Sequence, residues 1–459
     1  MAERRVAGTL DVTRGTIWRQ LLTLCVPVFL ASFFQQAYAF VDAWVVGQWA
    51  GKAALGGIQS TAALIDLAVG FAVGVSSGCA VICGQFFGAG DDRRLSTSVH
   101  TAMAISVVGG VAFTIAGLLL LEPLLSVMGT PPDLLPDAMS YGRAYFSGMF
   151  CSIVFNMGSA VLRAVGDTFT PSLLVALAGV VNILLDLLFV AKFGMGARGA
   201  GIATAVSIAV GAVAVVVHLM RLQGPCRLEL RRVAIDQEIG LSMVSTGLPL
   251  GIQSSAYSIS NVVMQATINS FGSEVVTAWG IAGRVDSIIW MGAEALGVAV
   301  TTFSAQNYGA DNMRRVKRGM WVSFLIAVVL VGLSSITVML LTNPISHVFI
   351  NDDSLASIAT TINCRVAPFY VFFAIMNNIS GTVRGTGESF WPMVITLVGT
   401  CALRIAWLVG VVPIRNTLEM TLSAFPLTWI ATLVIFVLYY RSGSWERAAE
   451  ARRQSDISM

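Results

Sequence analysis

The chain reads GQFFGAGDDRR at residues 84–94 and AQNYGADNMRR at residues 305–315, so one pattern occurs twice, 221 positions apart. A second pair keeps the same spacing, with RAVGDTFTP at residues 163–171 and RGTGESFWP at residues 384–392. Glycines followed by polar residues are typical of turns that end a helix. We therefore interpret the motifs as structural ties between neighbouring helices that need not touch a ligand. Their matching positions are Gln85, Gly88, Arg163, Gly166, Pro171, Gln306, Gly309, Arg384, Gly387 and Pro392.

Between these motifs the chain is strongly apolar. It is 56% hydrophobic and only 12% charged, whereas an ordinary soluble domain carries about 25% charged residues. A transmembrane helix needs roughly 20 apolar residues, and a membrane barrel shows alternating segments of about ten. The apolar runs here are continuous, so the sequence predicts an all-α integral membrane protein with twelve transmembrane helices. We place the spans at residues 17–46, 54–83, 98–121, 139–162, 170–191, 199–220, 240–269, 276–304, 319–342, 365–383, 392–412 and 418–440.

The basic residues fall unevenly on the two sides of these spans. The side that includes both termini holds 20 Lys and Arg, and the opposite loops hold 4, or 7 with the arginines that begin spans. Because positive charge stays on the cytoplasmic side, we expect a multi-pass protein of the plasma membrane with both termini in the cytoplasm. The net charge of +3 then reflects topology, and we expect no nucleic-acid partner.

The repeat divides the chain into two halves. We predict an N-terminal six-helix lobe at residues 1–222, a cytoplasmic connector at 223–239, a C-terminal six-helix lobe at 240–441 and a cytoplasmic tail at 442–459. Six spans in each half mean that both halves enter the membrane in the same direction, as parallel repeats. Such repetition is typical of transporters whose two bundles rock around a shared site.

Two acids and one asparagine inside spans of the first half are candidates for ion binding. Asp42 lies in span 1, and Asn182 and Asp186 share a face of span 5 because they are four residues apart. An ionised Asp at the centre of a span costs roughly 2.5–3.5 kcal/mol on insertion scales, which makes such residues functional candidates. Burial disfavours the charged carboxylate, so paired carboxyl groups can load and release a proton together. The same oxygens can hold sodium, and a static polar patch that fixes helix packing is the alternative interpretation.

The residues also carry a family resemblance. The chain resembles the multidrug and toxic compound extrusion (MATE) family over essentially its full length. The matching stretches are FVDAWVVGQW (40–49), GQFFGAGDDRR (84–94), VLRAVGDTFTP (161–171), NILLD (182–186) and QNYGADNMRR (306–315). The resemblance implies a V-shaped pair of six-helix lobes and secondary-active drug efflux driven by sodium or protons.

The resemblance extends to individual residues of the first half. It implies that Asp42, Asn182, Asp186 and Thr204 match the polar cluster that the family is credited with using to bind a cation or proton. Some members of the family carry an acidic residue in span 7, whereas this chain has none between residues 240 and 269. That departure argues against a cation site in the second half.

The second half offers a comparison within the chain. At the repeat positions of Asp42, Asn182, Asp186 and Thr204 it has Met264, Leu403, Trp407 and Phe425. A polar set kept only for packing would have survived in both halves. Its presence in one half favours a single coupling site in the N-terminal lobe.

Further embedded side chains are candidates for lining a substrate cavity. Aromatic and thioether groups bind varied apolar cations through dispersion and cation–π contacts, and glutamines are costly in lipid. Helix packing is the alternative interpretation for most of them. The candidates are Gln35, Gln36, Tyr38, Asp66, Gln253, Tyr257, Met264, Gln265, Trp290 and Glu294. We expect Arg404, in span 11, to neutralise a carboxylate or to hold contacts between the halves.

Taken as a whole, these features predict a secondary-active antiporter that exports amphipathic, cationic compounds by alternating access in exchange for protons or sodium. A flippase of lipid-linked saccharides is the alternative, although it would favour more basic residues in the cavity. A membrane-embedded enzyme is disfavoured, because the sequence has no HExxH motif, nucleophile elbow or Walker loop. We expect a small-molecule substrate, contact with membrane lipid, a monomer, and no cofactor or metal other than the coupling ion.

Overall fold

The computed structural model describes residues 9–349 and 352–458, and every regular element in these ranges is helical. Helices satisfy all their backbone polar groups internally, which lipid requires. The α-helices are α1 Ile17–Trp49, α2 Gly51–Ala89, α3 Asp92–Val127, α4 Leu135–Ser147, α5 Met149–Ala164, α6 Phe169–Asp186, α7 Gly196–Arg221, α8 Gln237–Asn269, α9 Ser273–Gly309, α10 Met313–Phe349, α11 Asp353–Val366, α12 Tyr370–Gly385, α13 Phe390–Thr396, α14 Leu403–Ala406, α15 Leu418–Leu422, α16 Ala424–Arg441 and α17 Ser444–Ser458. Short π-helical segments cover Leu187–Lys192, Leu397–Ala402 and Trp407–Val411, and 3-10 turns cover Leu230–Arg232, Ala367–Phe369 and Val412–Arg415.

All twelve predicted spans coincide with helical segments. Among the described residues, ten helical segments are long and apolar enough to cross a membrane, and the bent pair α4–α5 makes an eleventh. The remaining predicted span, residues 240–269, is α8, which has serines and glutamines among its apolar residues and Pro249 in its interior. The prediction of an all-α membrane protein built from two six-span repeats is confirmed.

The fourth span of each half is interrupted. α4 and α5 meet at Gly148 with a bend of 47°. A Cβ atom at Gly148 would lie 2.7 Å from the Cβ atom of Ala205 on α7, so glycine permits a close helix contact at this bend. In the second half the turn Ala367–Phe369, which contains Pro368, separates α11 from α12. The repeat therefore includes the break as well as the spans.

The first repeated motif builds the same helix-to-helix turn twice. Gly90 follows α2 with a φ of 71°, and Asp91 Oδ1 accepts a hydrogen bond at 2.9 Å from the backbone N–H three residues later. At the repeat positions, Asp311 has a φ of 58° and Asn312 Oδ1 accepts the equivalent bond at 3.1 Å. A left-handed residue followed by a side-chain cap lets two long helices meet across a short turn.

The second repeated motif is also a turn. Gly166 and Gly387 have φ values of 85° and 88°, a backbone conformation that favours glycine. The next residue, Asp167 or Glu388, accepts a backbone hydrogen bond from the start of the following helix, at 2.9 Å and 3.3 Å respectively. The glycines and acidic or amide side chains of both motifs therefore end one helix and cap the start of the next.

The contacts divide the chain into two compact units. Unit 1 contains Leu30–Gly251 and the described residues up to Asp11, and unit 2 contains Val12–Phe29 and the described residues from Ile252 onwards. In unit 2 the backbone N–H of Val12 donates to Gln306 Oε1 at 3.1 Å. The predicted lobes at 1–222 and 240–441 follow the sequence repeat, whereas the contacts place the start of α1 in unit 2 and the start of α8 in unit 1. The predicted domain bounds stay a prediction.

Inside unit 1, α2 and the first part of α8 touch through pairs of glycines. A Cβ atom on Gly78 would lie 2.2 Å from Gly247 Cα, and one on Gly74 would lie 2.4 Å from the backbone nitrogen of Gly251. The glycines of each helix are four residues apart, a spacing that lets helix backbones approach closely in lipid. An added side chain at this contact would therefore force the two helices apart.

Candidate functional site

Three helices of unit 1 bring the predicted polar cluster together. α1 supplies Asp42, α6 supplies Asn182 and Asp186, and α7 supplies Thr204. The carboxyl groups of Asp42 and Asp186 are direct neighbours, and Asn182 Nδ2 donates to Thr204 Oγ1 at 3.5 Å. Asp186 is 0% exposed and Asn182 is 2% exposed. The four predicted residues lie in one cluster, in which Asp42 and Thr204 are half-buried, and their role in ion binding stays a prediction.

This cluster has more hydrogen-bond acceptors than donors. Among the described residues, no donor reaches Asp42 Oδ1, Asn182 Oδ1 or either carboxylate oxygen of Asp186, although all four oxygens are buried. The hydroxyl of Thr204 donates elsewhere, to the carbonyl of Ala200 at 3.0 Å. Each unpaired buried acceptor costs about 1–3 kcal/mol, and two neighbouring carboxylates also repel each other. A proton shared by the carboxyl groups, or a cation held by their oxygens, removes both costs.

The backbone changes its winding next to Asp186. α6 ends at this residue, and the π-helical segment Leu187–Lys192 follows at once. π-helical turns are rare and are frequent at functional sites. Asp186 therefore lies at the point where the span changes from α-helical to π-helical hydrogen bonding.

Two tyrosines border the acidic pair. Tyr38, a predicted cavity residue, lies one turn before Asp42 on α1 and interacts with it. Tyr141 of α4 lies beside Asp42, Asp186 and Thr204 and is 7% exposed. Tyr141 was not among the residues predicted from the sequence. The signal that would have found it is its spacing of four residues from Tyr145, whose ring centroid lies 6.1 Å away.

The other cavity candidates of unit 1 lie on open surface. Gln35, Gln36 and Asp66 are exposed, and Asp66 lies close to Tyr145. Polar side chains on a membrane span usually face a water-filled cavity or the bundle interior. These three side chains are therefore accessible to a ligand, and their role stays a prediction.

In unit 2, Trp290 belongs to a hydrogen-bonded aromatic cluster. Its ring centroid lies 4.3 Å from that of Phe373 and 6.2 Å from that of Trp429. Its Nε1 donates to the hydroxyl of Tyr370 at 3.1 Å, and this hydroxyl donates to Asp286. Trp290 was a predicted cavity residue, whereas the Asp286–Tyr370 pair was not predicted, because the two residues are 84 positions apart.

Two of the remaining unit 2 candidates are taken up in helix packing. Met264 is buried, and the buried Gln253 donates from Nε2 to Thr396 Oγ1 at 3.0 Å. Gln265 is exposed and donates to Asn269 Oδ1 at 2.8 Å. A cavity-lining role for these three residues stays a prediction.

The basic and acidic groups of unit 2 pair differently from our expectation. Glu294 is exposed and lies near Arg384 and Tyr257. Arg404 donates from Nη1 to Asn261 Oδ1 at 3.2 Å. Within the described residues no carboxylate forms a salt bridge with Arg404. The expectation that it neutralises a carboxylate is therefore not met among these residues, and the alternative, that it holds contacts between the halves, stays a prediction. Sequence position alone cannot show which side chains surround a buried arginine.

A model of a known protein family matches both repeats. The family is described as MatE, and the matched residues are 27–188 and 249–408. Each matched region begins at a proline in the first span of its half, Pro27 in α1 and Pro249 in α8. The matches cover well over half of the chain and follow its internal repeat.

Similar proteins extend over most of the chain. The "probable multidrug resistance protein YoeA" of Bacillus subtilis strain 168 is 28% identical over 396 residues, which are 84% of this chain and 85% of that protein. The "probable multidrug resistance protein NorM" of Thermotoga maritima is 25% identical, with 95% of each chain covered. The "FAD transporter" of Shewanella oneidensis is 25% identical over 73% of this chain and 75% of that protein.

Solved structures share the fold. The outward-facing conformation of a multidrug resistance MATE family transporter matches with a TM-score of 0.88 at 20% identity, over 98% of this chain and 100% of that chain. A transporter of the MOP superfamily from Pyrococcus furiosus matches with a TM-score of 0.86 at 20% identity, over 96% and 98%. With two six-span repeats and a family match to each of them, this chain belongs to the MatE family of multidrug and toxic compound extrusion transporters and is not an enzyme.

Proposed function

We propose that this chain is a secondary-active antiporter of the plasma membrane that exports amphipathic, cationic compounds in exchange for protons or sodium ions. The observation that carries the proposal is the set of four buried oxygens of Asp42, Asn182 and Asp186 that no donor of the described residues reaches. Oxygen-only sites favour hard cations, and adjacent carboxylates are stable only when a positive charge lies between them. Coupling ion, substrate and direction are our proposal, and family membership supports them.

The proposed mechanism uses the neighbouring carboxyl groups as a switch. When a proton or sodium ion binds, Asp42 on α1 and Asp186 on α6 are held together, and when it leaves they repel. Because the two residues lie on different helices and a π-helical segment follows Asp186, the change in charge shifts the equilibrium between inward-open and outward-open forms.

The driving force can be compared with the cost of the switch. Reversing a two-state preference from 1:99 to 99:1 takes about 5.5 kcal/mol. One charge moving inward gains about 2.3 kcal/mol per 100 mV of membrane potential. The reversal must come from tighter binding of the coupling ion by one form than by the other. The potential adds driving force only where more positive charge moves inward with the ion than moves outward with the substrate.

The proposed substrate class follows from the open polar groups. Exposed carboxylates on membrane spans, Asp66 in unit 1 and Glu294 in unit 2, attract cations. Two of the relatives described above are named as multidrug resistance proteins and one as a transporter of FAD. These names support transport of small compounds.

A reconstituted transport assay tests the coupling role. We expect proteoliposomes with the wild-type protein to export ethidium when an inward proton or sodium gradient is imposed, and we expect Asp42→Asn to abolish this. The matched control is Asp133→Asn, an exposed acid in the turn before α4, which should transport like wild type. Unchanged efflux in Asp42→Asn would refute the coupling role of the cluster.

The coupling ion is identified by separating the two gradients. With the pH equal on both sides, a sodium gradient alone should drive efflux if sodium is the coupling ion, and it should have no effect if the ion is a proton. Efflux that needs neither gradient would refute an antiporter of either kind.

The orientation has its own test. We propose a monomer with both termini in the cytoplasm. A reporter enzyme that folds only in the cytoplasm should be active when it is fused to either end, and activity at one end only would refute an even number of spans.

A further inference from the structure

Arg404 is a buried charge in unit 2 that the proposed coupling mechanism does not use. The side chain is 1% exposed. Nη1 donates to Asn261 Oδ1 at 3.2 Å, and the guanidinium lies 4.7 Å from the ring centroid of Phe425. Nε and Nη2 are buried and meet no acceptor among the described residues. The guanidinium is thus held by two neighbours and keeps donors to spare.

No described acidic side chain balances this charge. The ionisable groups next to Arg404 are Tyr257, Tyr370 and Cys401, which are neutral near pH 7. A buried charge without a counter-ion is costly, and charged side chains within membrane spans usually mark substrate or ion sites. An arginine kept only for packing would be expected to have its donors satisfied. Nε and Nη2 of Arg404 therefore remain available to donate to an anion, and the nearest acid linked to this group is Asp286, which accepts from the Tyr370 hydroxyl.

The surroundings of Arg404 are aromatic. The ring of Phe425, which the guanidinium faces, has its centroid 5.3 Å from Trp429 and 6.1 Å from Trp279. Tyr370, also close to Arg404, lies 5.1 Å from Trp429. Flat apolar groups pack well against such rings. The fork of a guanidinium fits the two oxygens of a carboxylate or phosphate, so the combination favours an aromatic ligand with an oxyanion.

The backbone on both sides of Arg404 is irregular. The π-helical segments Leu397–Ala402 and Trp407–Val411 flank α14 on both sides. Further along, α8 and the end of this span line an open depression of about 480 Å³, whose walls include Val263 and Leu408. The same two segments are joined by the hydrogen bond between Arg404 and Asn261. Arg404 does not line this depression, which begins one helical turn beyond it at Leu408, in a region where helix winding is already irregular.

We propose that unit 2 contains a binding site for the oxyanion of an aromatic compound, a carboxylate or a phosphate, with Nε and Nη2 of Arg404 as its donors. The site extends the range of compounds from amphipathic cations to aromatic anions and zwitterions. It rests on the proposed function for the direction of transport only, because binding itself needs no ion gradient.

Binding to the purified full-length protein tests the site with a matched pair of probes. The first probe is 1-naphthaleneacetate, and the second is 1-naphthaleneacetamide, which keeps the rings and removes the charge. We expect wild type to bind the acetate about tenfold more tightly or better, and Arg404→Gln to bind both probes alike. Equal affinity of wild type for the two probes, or an unchanged preference in Arg404→Gln, overturns the proposal.

A second variant keeps the test decisive if Arg404→Gln does not fold. Arg404→Lys retains the charge and loses the planar fork, so it should keep part of the preference for the acetate and lose most of the affinity for 1-naphthyl phosphate. Wild-type affinity for both anions in Arg404→Lys overturns the assignment of Nε and Nη2 as donors.

Two further measurements distinguish a lipid headgroup from a free anion, and the anion site from the ion-coupling cluster. Nanodiscs of phosphatidylcholine, with and without phosphatidylglycerol, distinguish a lipid headgroup from a free compound. Loss of the preference for the acetate when phosphatidylglycerol is present assigns the oxyanion site to lipid, and a preserved preference assigns it to a free compound.

Asp186→Asn should bind both naphthalene probes like wild type, so failure of ion coupling and failure of the anion site are observed separately. A preference lost in Asp186→Asn and kept in Arg404→Gln would overturn the location in unit 2.

Discussion

The fifth spans of the two halves occupy the same place in the repeat and carry opposite charges. In the first half α6 ends at Asp186 and the π-helical segment Leu187–Lys192 follows. In the second half the π-helical segment Trp407–Val411 begins at the repeat position of Asp186, and Arg404 lies three residues before it. The repeat position of Thr204 is Phe425, whose ring lies against Arg404. Both fifth spans therefore contain a π-helical segment at the same place in the repeat, but the charged residue beside it is acidic in the first half and basic in the second.

This contrast separates what the repeat shares from what it does not. The shared positions end helices, as Gly90 and Asp311 do, or provide left-handed turns, as Gly166 and Gly387 do. These positions depend on backbone conformation, which both halves need in order to enter the membrane in the same direction. Among the described residues, the acidic cluster lies in one half only and the buried arginine in the other, so we assign them to different tasks, cation coupling in unit 1 and anion binding in unit 2.

The largest expected effect on transport comes from neutralising Asp186. Asp186→Asn should abolish gradient-driven ethidium efflux, because one remaining carboxylate at Asp42 cannot hold the coupling ion between two charges. Arg404→Gln should retain gradient-driven efflux of ethidium, a cation. Efflux from proteoliposomes under an imposed gradient measures both. Loss of ethidium efflux in both variants would show that the two sites act as one, and would break the division of tasks.

A variant that disrupts helix packing in unit 1 provides a reference for loss of stability without any change in the acidic cluster. Gly78→Ala would place a Cβ atom 2.2 Å from Gly247 Cα, so α2 and α8 must move apart. Overpacking of this kind typically costs 1–3 kcal/mol and occasionally more, and we expect a loss of about 3 kcal/mol. Thermal denaturation of the purified protein measures it.

The matched control is Gly109→Ala on α3, where an added Cβ atom would meet nothing within 4 Å. This variant should melt like wild type. If Asp186→Asn lowered the melting temperature as much as Gly78→Ala does, its loss of transport would reflect damaged packing, and the coupling role would lose its support.

Much of the fold was predictable because lipid sets the length of each span, and the spacing of Asn182 and Asp186 placed them on one face. Several features were not. An apolar run looks the same whether or not it bends at Gly148, so the break in span 4 was missed. Distances between helices are absent from a sequence, so the contact of Asp42 with Asp186 followed only from family resemblance, and the neighbouring Tyr141 was missed. For the same reason the lack of an acid beside Arg404 was unforeseen.

A smaller effect is expected in the aromatic cluster of unit 2. Tyr370→Phe removes a hydroxyl that accepts from Trp290 Nε1 and donates to Asp286, which should cost about 1–2 kcal/mol of stability. The control is Tyr439→Phe, since the buried Tyr439 hydroxyl has no partner in the described part of the chain and its removal should cost nothing. Equal melting temperatures for Tyr370→Phe and Tyr439→Phe would show that the Asp286–Tyr370–Trp290 network does not stabilise unit 2.

The smallest expected effects come from a pair of variants at one repeat position. Thr204→Val removes the hydroxyl that accepts from Asn182 at 3.5 Å. Hydrogen bonds between membrane helices are worth about 0.6 kcal/mol on average, so ion-driven transport should persist with less than about a threefold change in the half-saturating ion concentration. Phe425→Leu removes the ring under Arg404, a contact worth about 0.5–2 kcal/mol. It should weaken binding of 1-naphthaleneacetate without changing ion dependence. Because the two residues are repeat equivalents, crossed effects, with Phe425→Leu altering ion dependence and Thr204→Val altering anion binding, would contradict the separation of the two sites more directly than loss of either function alone.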